Sequence, residues 1–525
     1  MVQTSLEVFG MRIRSLACTS IAFVLSTFLV SGTASGQTWR TSVTINWDKV
    51  ERVSRTTPTY QIVHSALMRR TSPIHDQVYR NLRDLGAEYV RFQAWWPFPR
   101  LAVAELEPPS DGKTHWDFSE MDPIVVDFLE ATKGHKIILN FATIPQWMFK
   151  TAKPVPYPTD PNVVSPDYSQ GTELRDPSMK EVADYFTRLA NWYTRGGFKD
   201  ESGQWHSSGY HYKVDYWEVL NEVDFEHNMT PETYTALYDA VVEQIHEIDP
   251  RMKFVGLALG TTSTLPLKYQ QPRFFEYFLD HKNHKPGIPI DMISYHFYAE
   301  PDEDETPYVQ QFTVFNQADR FLSLIKYVEL IRQRLSPQTQ TTLNEIGIIS
   351  ADDLVLDQPG HISRPIPGSY WNLSAALYAY LYNQISHLGI EAVGMSSGLA
   401  YPNTYYPSVT MMDWKTGQPN ARYWALKLLI DNSTVGDKQV ETTSDLPYAQ
   451  LYVVAQAYVT PAGQRKILLI NKRDRPFEVT ISGVKGATEE RVDQETRSHP
   501  AASGTLDSDK VLLGGLAVSV ITLPK

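Results

Sequence analysis

The sequence predicts an α/β fold, a (β/α)8 TIM barrel over residues 37–435 followed by an antiparallel β-sandwich over residues 436–525. Three observations lead there. Up to residue 435, short β-rich runs alternate with longer amphipathic stretches, the pattern of repeated βα units. Beyond it, β-rich runs follow one another with turns and no helices between them. No glycine-rich phosphate turn follows an early strand, which disfavours an open doubly wound sheet, the other arrangement with this alternation.

The elements can be justified in order. Arg12 and Arg14 precede an apolar run from Ile21 to Val30, and small residues Ser31 to Gly36 follow. A basic start, a short apolar stretch and a small-residue exit predict a signal peptide over residues 1–36, and hence a secreted or periplasmic protein. Ser26 and Thr27 interrupt the run, which falls short of the roughly 20 apolar residues of a membrane span. Cys18 is the single cysteine and leaves with that segment, so disulfide and thiolate chemistry are not expected. Seven barrel strands are then predicted: Glu88–Phe92, Lys136–Phe141, Tyr216–Leu220, Phe254–Ala258, Met292–His296, Thr342–Asn344 and Ala392–Met395. An eighth lies near Ile62–His64 or Val43–Ile45, and the sequence does not choose. Thr230-Pro231 opens a helix whose apolar residues Tyr234, Leu237, Val241, Ile245 and Ile248 recur at three- and four-residue spacing. Asp249-Pro250 stops it. Met121–Leu129 and Phe321–Leu330 also read as helices. In the sandwich, strands are predicted at 449–455, 466–470, 477–481 and 516–521, and the absence of a low-complexity linker predicts close packing of the two domains.

Composition narrows the function. With 48 basic against 60 acidic residues and no basic run, nucleic acid is not an expected partner. There is no His-Glu-x-x-His segment and no cysteine cluster, so no metal or other cofactor is expected. Most of the 29 tyrosines and 12 tryptophans are expected in the core, but aromatic faces also stack on the C–H faces of sugars, so a carbohydrate site would use some of them.

Two glutamates stand at the carboxyl ends of predicted strands, each preceded by asparagine: Asn221-Glu222 and Asn344-Glu345. Counted along the barrel these are strands 4 and 7. Barrel chemistry occurs at the C-terminal face, so both carboxyls point to the same mouth. One protonated and one ionised carboxyl flanking a bond is the requirement of glycoside hydrolysis. A separation of about 5 Å leads to retention of configuration and about 6.5–9.5 Å to inversion.

The ordered segments Leu85–Arg91, Trp116–Asp122, Trp217–Glu222, Ile290–Tyr298 and Leu343–Glu345 resemble glycoside hydrolase family 39, within the clan A retaining barrel enzymes. The resemblance covers about residues 60–430. It implies a retaining glycosidase with Glu222 as acid/base and Glu345 as nucleophile. It further implies that Asn221 binds the sugar 2-hydroxyl, that Tyr298 orients Glu345, and that His296 lies at the active site. Gln93, Trp95 and Trp96, after strand 2, are candidate substrate contacts, the tryptophans as a sugar platform. The expected partner is an oligosaccharide, polysaccharide or glycoside. The chain departs from the family pattern twice: Val223 follows Glu222 where proline is common, and Phe92–Trp96 stands where the β-xylosidases carry a sugar-binding histidine motif. An α-L-iduronidase would need cationic residues facing a uronate, and the sequence does not locate them. The same scaffold also admits a catalytically silent glycan-binding barrel or a transglycosylase.

Overall fold

Eight parallel strands close into a barrel: Thr57–Val63, Tyr89–Gln93, Lys136–Asn140, Tyr216–Glu218, Lys253–Leu259, Met292–Tyr295, Gln340–Ile348 and Ala392–Met395. Closure is made where Ala392–Met395 runs beside Thr57–Tyr60. The structure is a computed structural model that describes residues 39–94, 97–141, 143–165, 167–168, 171–260, 270–355, 364–400 and 407–524. The segment read as a leader, residues 1–36, and the tryptophans Trp95 and Trp96 lie outside the described residues. No described helix is long and apolar enough to cross a membrane.

Of the two places open for the remaining barrel strand, the one near Ile62 is used, as strand 1. Val43–Ile45 belongs to Trp39–Val53, which pairs antiparallel with Lys438–Ser444 and parallel with Phe477–Ile481. The chain therefore enters through the accessory sheet before it enters the barrel, which differs from a barrel segment beginning at residue 37.

Alternation along each strand decides what faces inward. In the second strand Tyr89 packs inside the barrel with Ile138, Tyr216, Val255, Met292 and Ala392. Val90 and Phe92 turn out to the helices. That leaves Arg91 and Gln93, on the face of Tyr89, directed up the barrel axis. The helix predicted after Thr230 runs Pro231–Ile248, with the Thr230 hydroxyl accepting from the Thr233 amide and proline at the first position. The one predicted at Phe321–Leu330 is longer, Pro307–Leu335, because Gln311, Val314, Phe315 and Ala318 extend its buried face toward the N-terminus.

The accessory sheet has nine strands, with Trp39–Val53 inside it. Period-two alternation divides its faces. Val43, Val453, Ala457, Ile467, Leu469, Val479 and Ile521 form its own core. Val454, Tyr458, Leu468, Ile470, Val518 and Val520 join the barrel's core cluster instead. Polar contacts add to the junction, among them Tyr458 Oη to Asn432 O at 2.9 Å and Gln439 Nε2 to Ser386 Oγ at 2.7 Å. The predicted sandwich is thus docked on the barrel through one face of the strands Val453–Val459, Arg465–Asn471 and Val518–Thr522.

Candidate active site

The C-terminal mouth of the barrel gathers three carboxyls around two cationic side chains. Arg91 comes from strand 2 and is 1% exposed. Its Nε donates to Glu218 Oε2 at 2.5 Å, Nη1 to Glu345 Oε1 at 2.8 Å, and Nη2 to Asn221 Oδ1 at 2.8 Å. Glu218, in strand 4, also accepts from the side-chain amides of Asn140 and Asn344. A buried guanidinium between two buried carboxylates is stable only when its donors and their acceptors are matched in this way.

Glu345 lies inside strand 7, which continues to Ile348 because Phe297–Ala299 pairs alongside it. The sequence alone had the strand end at this residue. Tyr298 Oη donates to Glu345 Oε2 at 2.6 Å and lies 2.6 Å from Ser396 Oγ, to which Gln61 Nε2 donates at 2.9 Å. Both oxygens of Glu345 are therefore engaged. Glu222 follows strand 4 after a kink, with its amide donating to Ala258 O at 2.8 Å. His296 sits between the pair: Nδ1 is 2.8 Å from Glu222 Oε1 and 3.7 Å from Glu345 Oε2. These three atom sets converge closely, with one donor atom of each residue within 4.8 Å of the others.

The electrostatics separate the two carboxyls. Burial raises the Glu222 pKa, as do the charges of Glu345 and Asp224, against an opposing contribution from His296. Burial also pushes Glu345 upward, but His296, Arg91 and the Tyr298 hydrogen bond outweigh it, and its pKa falls below the usual value. His296 is raised despite its burial because Glu345 and Glu222 face it. The surroundings therefore push the pair apart, Glu222 toward its protonated form and Glu345 toward its ionised form.

The structure brings Glu222, Glu345, Asn221, His296, Tyr298 and Gln93 into one cluster. Gln93 is 2% exposed and its Oε1 accepts from Arg91 at 3.2 Å, so it borders the cluster through the arginine. Asn221 is held from both ends, with Nδ2 donating to Glu226 Oε1 at 3.2 Å. Sequence reasoning passed over Arg91, Glu218, Gln61 and Ser396. The available signal was an arginine on the inward face of a buried strand, two residues before Gln93.

Among the described residues, Glu222, His296 and Glu345 are also the one cluster with donors close enough for a metal ion. The donors do not fit that use. Glu345 receives Arg91 and Tyr298 on its two oxygens, and a cation there would meet the Arg91 charge at close range.

The sequence matches no protein-family model and no curated protein. The structure does resemble solved enzymes. A GH51 arabinofuranosidase from Xanthomonas axonopodis pv. citri superposes with a TM-score of 0.61 at 12% identity, over 92% of this chain and 100% of that one. The α-L-arabinofuranosidase of Thermotoga maritima gives a TM-score of 0.58 at 12% identity, over 92% and 99%. A GH30 endoxylanase from Clostridium papyrosolvens C71 gives 0.53 at 13% identity, over 92% and 100%. At these identities the likeness is one of fold, and the fold is the (β/α)8 barrel with an attached β-sandwich domain found in those glycoside hydrolases.

Proposed function

We propose that the protein is a retaining glycoside hydrolase, with Glu222 as acid/base and Glu345 as nucleophile. One observation carries the reading: a partly buried and a buried carboxyl with one oxygen of each within 4.8 Å, the first pushed toward protonation and the second toward ionisation. That spacing favours attack by the second carboxylate over insertion of a water, which needs a wider gap. In the first step Glu345 bonds to the anomeric carbon while the glycosidic C–O bond breaks and Glu222 gives its proton to the leaving oxygen. In the second, Glu222 takes a proton from water, whose oxygen displaces Glu345. Arg91 and Tyr298 keep Glu345 ionised, and His296 Nδ1–H, donating to Glu222 Oε1, leaves Oε2 to carry the acid proton.

The family 39 resemblance and the activities of the structural neighbours, arabinofuranosidases and a xylanase, make a glycan containing pentose the first substrate class to test. Asn221 is assigned to the sugar 2-hydroxyl. The basic and apolar pattern before residue 36 supports export, which sequencing the N-terminus of the mature protein checks.

The decisive experiment is a panel of aryl glycosides against the wild type, Glu222→Gln and Glu345→Gln. On phenyl glycosides both substitutions should lower hydrolysis by at least about 10²-fold. Wild-type rates in both would end the assignment. A first-formed product of inverted configuration, read by NMR, would end the retaining mechanism alone. Glycan binding without cleavage by the wild type would indicate a silent barrel, and preferential transfer to added alcohols a transglycosylase.

A further inference from the structure

Near Glu222 the backbone is unusual. Leu220 and Glu222, after strand 4, have φ of 62° and 41°, and Leu257 and Ala258, in strand 5, have φ of 73° and 46°. Left-handed backbone is costly for residues with a Cβ, so four of them in two adjacent segments must be held by their surroundings. The register between strands 5 and 6 shifts at the same place, between Leu257 and Leu259.

One side chain bridges the two distorted segments. The Tyr234 hydroxyl accepts from the Leu257 amide at 2.7 Å and donates to Val219 O at 3.0 Å. Tyr234 is fully buried in the first turn of the helix Pro231–Ile248. The next residue after Leu257, Ala258, supplies the carbonyl that accepts the Glu222 amide at 2.8 Å. Further on, the Gly260 amide donates to Asp224 Oδ1 at 2.9 Å. Gly260 also lies against the Glu222 carboxyl, where an added Cβ would stand 2.5 Å from Cδ.

We infer that Tyr234 is a positioning residue for Glu222, because its hydroxyl ties together the two backbone turns that aim the acid/base carboxyl. The inference rests on the proposed role of Glu222. Tyr234 touches no substrate atom. It acts by fixing where the proton is delivered, and a displacement of about 1 Å can cost on the order of 10²-fold in rate.

Leaving-group dependence reads this directly. A misplaced acid harms substrates whose leaving oxygen needs a proton and spares those that do not. The kcat/KM of phenyl through dinitrophenyl glycosides should be measured for the wild type, Glu222→Ala, Tyr234→Phe and Tyr238→Phe. Tyr234→Phe should lose about 10- to 100-fold on the phenyl glycoside and no more than about threefold on the dinitrophenyl one. Tyr238→Phe is the matched control. It removes an equally buried hydroxyl from the next turn of the same helix, one that donates to Pro289 O at 3.0 Å, and its series should parallel the wild type. A uniform loss for Tyr234→Phe, or a wild-type slope, overturns the inference while a steep Glu222→Ala series leaves the acid assignment standing. A flat Glu222→Ala series removes both. Gly260→Ala removes no hydrogen-bonding group and pushes on the carboxyl from just beyond strand 5, so it should reproduce the steep series. If it behaves as wild type, the end of strand 5 does not place the acid and the inference falls, whether or not Tyr234→Phe folds.

Discussion

Arg91 sets the ionisation of the site. Its five donors are shared among carboxyls and amides, a geometry that a lysine's single ammonium cannot match. Arg91→Lys should lower kcat/KM by about 10²-fold and move the acid limb of the pH profile upward. The sign follows from Glu345: its pKa is depressed, activity is lost as pH falls through it, and removing a donor raises it. The basic limb belongs to Glu222, whose pKa is raised, so activity is lost as pH rises through it. The basic limb of kcat/KM should therefore appear for the wild type on phenyl glycosides and be absent for Glu222→Ala on dinitrophenyl glycosides, which need no proton. Glu105 gives a separate prediction. It is fully buried, one oxygen accepts the His115 amide at 3.1 Å, and the other has no partner among the described residues. Burial pushes its pKa up to about 7. A raised carboxyl stabilises the fold below its unfolded pKa and loses that contribution as pH rises through the folded one. Glu105→Gln should thus be more stable than the wild type at pH 8, by about 2 kcal/mol in denaturant titration, and near-neutral at pH 5. At this scale the two glutamates were legible because each directly follows an asparagine at the end of a β-rich run. Arg91 was not, since its role depends on Glu218 and Glu345, which are 127 and 254 residues away.

Strands and helices differ in how openly the sequence announces them. The helix Pro231–Ile248 was readable at both ends, because Thr230-Pro231 and Asp249-Pro250 are local signals. Thr230→Ala should cost about 1 kcal/mol in chemical denaturation, the worth of one N-cap. Strand 4 was read as Tyr216–Leu220 and ends at Glu218. Hydrophobic alternation carries no sign of a left-handed residue, and nothing in the identity of Leu220 or Leu257 marks the kink. Those conformations come from tertiary contacts such as the Tyr234 bridge.

The whole molecule is held by more than adjacency of two domains. Lys472 Nζ lies 4.1 Å from the Tyr380 ring centroid and 4.8 Å from that of Phe315, and the Arg473 guanidinium lies 4.0 Å from that of Phe312, so accessory-sheet cations rest on aromatic side chains of the barrel helices. The Lys472 pKa is lowered to about 8 by burial at this junction. A barrel fragment of residues 54–435 should be insoluble or melt well below the full chain, since it bares the surface that Leu468, Ile470, Val518 and Val520 cover. Calorimetry of the full chain should show one transition. The domain order was legible from texture, but the membership of Trp39–Val53 was not, because a β-rich run does not name its partners. That membership bears on biogenesis. Thr41 meets Ser444, 403 positions further along the chain, whereas every barrel strand pair but the closing one joins strands that follow each other in the barrel order. An early-synthesised ribbon must wait for both flanking strands to emerge from the ribosome. Until they do, its two bare edges are a ready template for another chain, and self-association of nascent protein is most probable in that interval.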